Sequence, residues 1–241
     1  MEQEKQNPEA TAAADGKESG SFIQREWSNF REVALPAMPG LTVRWLLRAA
    51  IPAAFFYTAV VFGLLQYGAS IIELITDPEI PENQAWYRGL LSNIGIVLWI
   101  ATGASCMFTA WCRKGDESSV VARKLIIAGG VLSLMLAADD GLMLHDRMKH
   151  QLRFYAVYAA VAGYIVLWFF RELQSFDFMA LVLSGGCLAA SIFVDLIQMD
   201  IPLRYEYSQF FEEGFKFIGI VGWAYFWMGT GRTILALPKV N

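Results

Sequence analysis

The sequence is poor in histidine, cysteine and charge, and each shortage excludes a class of protein. Only two histidines, His145 and His150, occur in 241 residues. That excludes the His-rich haem, copper and di-iron membrane enzymes unless carboxylates supply most of the ligands. Cys106, Cys112 and Cys187 are the three cysteines, and no two of them make a CxxC pair. They read as small core residues, not as a disulfide framework or a zinc site. Charged residues make up only 17% of the chain, against roughly 25% in soluble domains. The net charge of −4 lacks the basic excess that a nucleic-acid partner requires. The chain opens on no charged-then-apolar leader with a small-residue cleavage site. It carries no haem, nucleotide or flavin signal.

What is present in quantity is apolar surface. Hydrophobic residues reach 56% and the mean hydropathy is +0.39. Six apolar stretches each approach the ~20 residues that span a bilayer core. They run Ala49–Leu74, Trp86–Cys112, Leu125–His145, Phe154–Phe170, Phe178–Ile197 and Phe211–Thr230. None shows the alternation of barrel strands, and only helices and closed barrels satisfy their backbone polar groups in lipid. The expected fold is therefore all-α, a polytopic membrane helical bundle of about six transmembrane helices. Residues 1–41 form a polar cytoplasmic segment, with Met1 to Ser21 reading as a disordered tail. Residues 42–233 form the transmembrane domain, and 234–241 a short cytoplasmic tail. No internal repeat supports an inverted-repeat transporter.

Lysine and arginine in short loops set orientation. Arg44 and Arg48 precede or open the first stretch, and Arg113, Lys114, Arg123 and Lys124 join the second to the third. The first loop, "ITDPEIPENQ", is acidic. Both termini are expected in the cytoplasm, although "DRMKHQLR" puts three basic residues on the outer side.

Polar residues within the stretches fall at one depth. At 1.5 Å per residue, Asp139 lies ~22 Å and His145 ~31 Å beyond Lys124. Asp195 lies ~27 Å beyond Asp177, and Glu212, Glu213 and Lys216 lie ~24–29 Å back from Arg232. Gln66 and Asn93 reach comparable depth. Six carboxylates (Asp139, Asp140, Asp146, Asp195, Glu212 and Glu213) thus share the outer third of the membrane with Lys216 and His145. So many carboxylates cannot all stay charged in a low dielectric unless they take up protons, face water or bind a cation. The plainer reading also stands: Asp146 beside Arg147 suits the headgroup region, and Glu212 with Lys216 is an i, i+4 pair.

A divalent metal ion would neutralise the layer. The candidate ligands are Asp139, Asp140, His145, Asp195, Glu212 and Glu213, with Asp146, Lys216, Asn93 and Gln66 in support. Asp140 and His145 flank the stripe shared by Asp139 and Asp146, so His145 would join a common site only through a local distortion at Gly141. Neither the Glu-x-x-His pattern of di-iron bundles nor HExxH occurs in the chain. The candidate therefore rests on clustering rather than on a motif. Glycines such as Gly129, Gly130, Gly219 and Gly222 suit close helix packing.

With these residues in view, the stretch from Leu125 to Gly231 resembles a broad group of uncharacterised bacterial polytopic inner-membrane proteins. The shared features are an apolar helix ending in an acidic pair then His-acidic, here Asp139-Asp140 and His145-Asp146, and a final helix opening on "FFEEGFKFIGIVGW". This chain has Asp at Asp140 and Asp146 where that pattern often has Glu. The resemblance implies a bacterial inner membrane and brings no activity with it. Two other likenesses fail. Microbial rhodopsins need seven helices and a deeper lysine than Lys216, and ceramidase-type hydrolases need more histidines.

Three functions are compatible with the sequence. The first is a divalent-cation-binding membrane protein, extending to a metal-dependent enzyme on a lipid or small molecule. The second is a non-catalytic subunit of a larger membrane complex. The third is a proton- or cation-coupled carrier. The expected partners are membrane lipids and other membrane subunits.

Overall fold

The computed structural model describes residues 35–75, 87–144, 151–197 and 204–238. The polar tail, most of the acidic first loop, His145 and Asp146 lie outside the described residues. Contacts divide the chain between Gly40 and Leu41. Of the first unit, residues 35–40 are described and are helical.

Every regular element among the described residues is a helix, with no strand among them. In chain order they form α1 (Leu35–Trp45), a π-helical turn (Leu46–Ala50), α2 (Ile51–Leu65), α3 (Ile71–Ile75), α4 (Leu90–Cys112), a 3-10 turn (Glu117–Ser119), α5 (Val120–Leu142), α6 (Gln151–Trp168), α7 (Phe170–Gln174), α8 (Phe178–Ile197) and α9 (Tyr205–Ala236). The π turn has a local cause. Pro52 cannot donate a backbone hydrogen bond, and its ring crowds the carbonyl four residues back, that of Arg48. Widening the preceding turn, so that the Ile51 N–H reaches the Leu46 carbonyl, lets the helix pass the proline.

Four of these helices are long and apolar enough to cross a membrane: Met38–Leu65, Leu90–Cys112, Val120–Leu142 and Phe178–Ile197. This is fewer than the six expected from apolar runs. Arg153–Trp168 is a shorter apolar helix, ~24 Å long at 1.5 Å per residue. The last helix has 32 residues, but Lys216 and its Gly, Trp and Tyr residues hold its hydropathy down. The first apolar run also ends sooner than expected. It turns at Gln66–Gly68, where Gly68 takes a φ of 84°, a left-handed conformation that costs glycine least.

Helix α9 is the centre of the bundle and packs against α8, α4, α2, α5 and α3. Helix α5 lies along α4, and α6 packs against α5. In lipid such contacts depend on close van der Waals packing, which small residues permit. A Cβ at Gly129 of α5 would fall inside the Trp227 ring of α9. One at Gly222 of α9 would collide with Ser184 of α8 and the Trp45 indole.

Two buried indoles are tied down by hydroxyls. Trp45 Nε1 donates to Ser184 Oγ at 3.1 Å, and Trp223 Nε1 donates to Ser133 Oγ at 2.8 Å. These bonds suit tryptophan, whose N–H needs a partner once it leaves water.

The loop between α4 and α5 is locked to the far end of α9. Arg113 is only 1% exposed. Its Nη1 sits 2.8 Å from Asp116 Oδ2. Its Nη2 donates to the carbonyls of Ile234 at 2.6 Å and Leu235 at 3.0 Å, and to that of Leu237. A guanidinium therefore caps carbonyls that the end of a helix leaves without intrahelical partners.

Candidate functional site

The acidic pair ends α5. Asp139 is buried, 4% exposed, and Asp140 is partly buried. The helix stops at Leu142, and Met143 follows with a φ of 51° while its N–H reaches the Asp139 carbonyl. The expected distortion at Gly141 therefore falls two residues later, on a residue with a side chain. Gly141 itself stays within the helix.

Asp140 joins three helices. Its Oδ2 accepts from Trp99 Nε1 of α4 at 3.0 Å. Its Oδ1 lies 3.3 Å from Lys216 Nζ of α9. Lys216 also sits 3.9 Å from Glu213 Oε1, one turn earlier on its own helix. The lysine thus bridges the acidic end of α5 and the acidic pair of α9. Asp139 is hydrogen-bonded to Tyr158 of α6, and Asp140 also acts on that tyrosine.

Glu212 faces a second set of neighbours. Its Oε2 accepts from Gln209 Nε2 at 2.7 Å. The charges of Glu213, Asp195 and Lys216 all act on it, which places Asp195 of α8 on this side of the bundle. Tyr57 of α2 feels Glu213 and Glu212, and its hydroxyl donates to the Phe210 carbonyl at 2.9 Å. Five helices, α2, α4, α5, α8 and α9, therefore contribute to one polar neighbourhood, and α6 closes its edge through Tyr158.

Two expected supporting residues lie at the surface. Gln66 ends α2 and Asn93 lies on α4, and both are exposed. The expected metal-ligand set also changes character. Among the described residues, no group of three or more His, Cys, Asp and Glu side chains could hold a metal ion. Asp140 and Glu213 instead share Lys216, Glu212 takes Gln209, and Asp139 takes Tyr158. The Lys216 ammonium stands among these acids. His145, a further candidate ligand, and Asp146, a supporting residue, lie outside the described residues.

Sequence reasoning missed Trp99, Tyr158, Tyr57 and Gln209. For Trp99 a signal existed: it lies ~20 Å from the Cys112 end of its helix, matching the depth of Asp139.

From Trp99 an aromatic row leads away from Asp140 into the apolar core. Trp99 packs edge-to-face on Trp223 with ring centroids 5.8 Å apart, and Trp223 tilts against Trp227 at 5.7 Å. Phe226, Leu132 and Ile126 are fully buried nearby in the same core.

Four helices long and apolar enough to cross a membrane, packed around α9, mark a polytopic helical membrane protein. Residues 29–229 match the family described as a domain of unknown function, DUF8692, and the chain belongs to that family. Neither the curated proteins nor the solved structures contain a match.

Proposed function

We propose that this chain is a six-span bacterial inner-membrane protein, with both termini inside, that binds a cation among its outer-layer carboxylates. The supporting observation is the charge balance around Lys216. Asp139, Asp140, Asp195, Glu212 and Glu213 gather in one partly buried neighbourhood with a single described ammonium. Excess negative charge at low dielectric is relieved by protons or by a bound cation. The cation enters and leaves on one face, because the Trp99, Trp223 and Trp227 stack fills the bundle on the other side. That arrangement favours binding over transport.

The second reading is a non-catalytic subunit. It is favoured by α6, which packs mainly on α5 and leaves Val157, Tyr164 and Leu167 exposed. Thermal melting of the purified protein separates the two. A ligand that binds only the folded state raises stability by ~2.7 kcal/mol at a hundred times its Kd. Cation binding predicts a rise in melting temperature with sodium, potassium, calcium or magnesium, or with falling pH, and a larger rise in Lys216→Met. Melting that ignores both salts and pH in the two proteins sinks the cation reading and leaves the subunit.

A further inference from the structure

A second polar site lies at the other end of the bundle. A cleft of about 390 Å³ opens where the π turn, the residues before α8 and the last turns of α9 meet. Its lining includes Arg48, Asp177, Tyr225, Phe226, Thr230 and Arg232. Both arginines are exposed, and neither has an ion pair or hydrogen bond among the described residues. Arg48 stands on the π turn forced by Pro52.

Two polar groups in this cleft are buried and unsatisfied. Thr230 is only 2% exposed, and its hydroxyl has no hydrogen-bond partner among the described residues. Asp177 Oδ2 accepts from the Tyr225 hydroxyl at 3.2 Å, but its buried Oδ1 has no partner. Native proteins satisfy nearly all such groups. The cleft therefore presents two positive charges and a hydroxyl donor, beside a carboxylate oxygen that needs a donor. Phe226 adds an apolar wall.

A ligand that answers all of these carries an anion and a cationic donor a few bonds apart. We propose that the cleft binds a phospholipid headgroup containing a phosphodiester and a primary ammonium. Arg48 and Arg232 hold the phosphate, as guanidinium groups do with paired N–H donors. Thr230 donates to a phosphate oxygen, and the ammonium donates to Asp177 Oδ1. The level suits a headgroup, because the cleft lies at the end of the bundle where Arg113 caps α9. This assignment does not depend on the carboxylates around Lys216, and either can fail alone.

The test is lipid retention by the purified full-length chain in detergent, counted by native mass spectrometry. Phosphatidylethanolamine has both charged groups, phosphatidylcholine lacks the N–H donors, and phosphatidylglycerol lacks the cation. Wild type should retain phosphatidylethanolamine about tenfold better than either, the scale of one charge-assisted hydrogen bond. Arg48→Gln with Arg232→Gln should remove that retention, and both positions are exposed, so the fold survives. Asp177→Asn keeps an acceptor for Tyr225 and should lower phosphatidylethanolamine to the phosphatidylglycerol level. Equal retention of the three lipids would overturn the proposal, as would a double arginine variant that retains lipid like wild type. Soluble O-phosphoethanolamine is the control for the source. Failure to displace the lipid at equal concentration supports a membrane ligand, whereas binding of the soluble compound without lipid retention overturns it.

Discussion

Lys216 Nζ lies 3.3 Å from Asp140 Oδ1, across the packing of α5 and α9 and 76 positions away in sequence. The same aspartate accepts from Trp99, so one carboxylate ties three helices together. Removing one partner of a buried pair leaves the other uncompensated, which costs more than the pair contributes when intact.

That asymmetry predicts energetic coupling. Asp140→Asn keeps an acceptor for Trp99 but loses the charge, and Lys216→Met leaves Asp140 and Glu213 unneutralised. Each single variant should lose ~1–3 kcal/mol. The double variant should lose less than the sum, with a coupling of ~0.5–3 kcal/mol. Chemical denaturation in detergent micelles measures all four proteins. Strict additivity would show that Lys216 and Asp140 do not act as a pair.

The Arg113 clamp predicts a larger loss. Arg113→Met removes the charge that Asp116 faces and uncaps the carbonyls of Ile234, Leu235 and Leu237. Breaking a buried pair costs ~3–5 kcal/mol. Asp116→Asn should cost less, because Arg113 keeps its carbonyl partners. Equal melting of Arg113→Met and wild type would mean the clamp carries no stability.

Met143 predicts a gain. Its φ of 51° is a left-handed conformation, where glycine is the usual residue after a helix end. Met143→Gly should stabilise the protein by ~0.5–1 kcal/mol, and Met143→Val should destabilise it, because β-branching tolerates positive φ least. A melting series of the three residues checks the order. A glycine variant less stable than wild type would point to packing of the Met143 side chain as the stronger effect.

Orientation is tested by labelling. Tyr67 follows α2 and Glu117 joins α4 to α5, and both are exposed. With the three native cysteines replaced by alanine, Tyr67→Cys should react with an impermeant maleimide in intact cells, and Glu117→Cys only after permeabilisation. The opposite pattern would reverse the bundle and place the carboxylates on the inner face.

The helices were legible because apolar length is a property of contiguous residues. The shared depth of Asp140, Glu213 and Lys216 was legible for a related reason, although their pairing was not: a fixed rise per residue turns sequence position into depth. Depth is one coordinate of three, however. Gln66 and Asn93 have a suitable depth and are exposed. Trp99 has the depth and direction but carries no charge, so nothing in composition singled it out. Arg113 was counted as a loop cation setting orientation, because the chain alone does not show that the end of α9 returns to cover it. The metal expectation for the described acids weighed their number. It did not foresee that Lys216 would stand between Asp140 and Glu213.

The Arg113 clamp also bears on the order in which the chain is made. Its donors belong to a loop formed after the second long helix, whereas the carbonyls they reach lie 121 to 124 positions later. While the ribosome is still translating α9, Arg113 and Asp116 have no final turn above them and stand open to water. Contacts between such distant segments form late, after the intervening chain has been ordered. Truncation anywhere before Ile234 therefore leaves an unfinished loop at the end of the bundle as well as a missing helix end. A quality-control protease would meet that loop in an incomplete product and find it covered in a finished one.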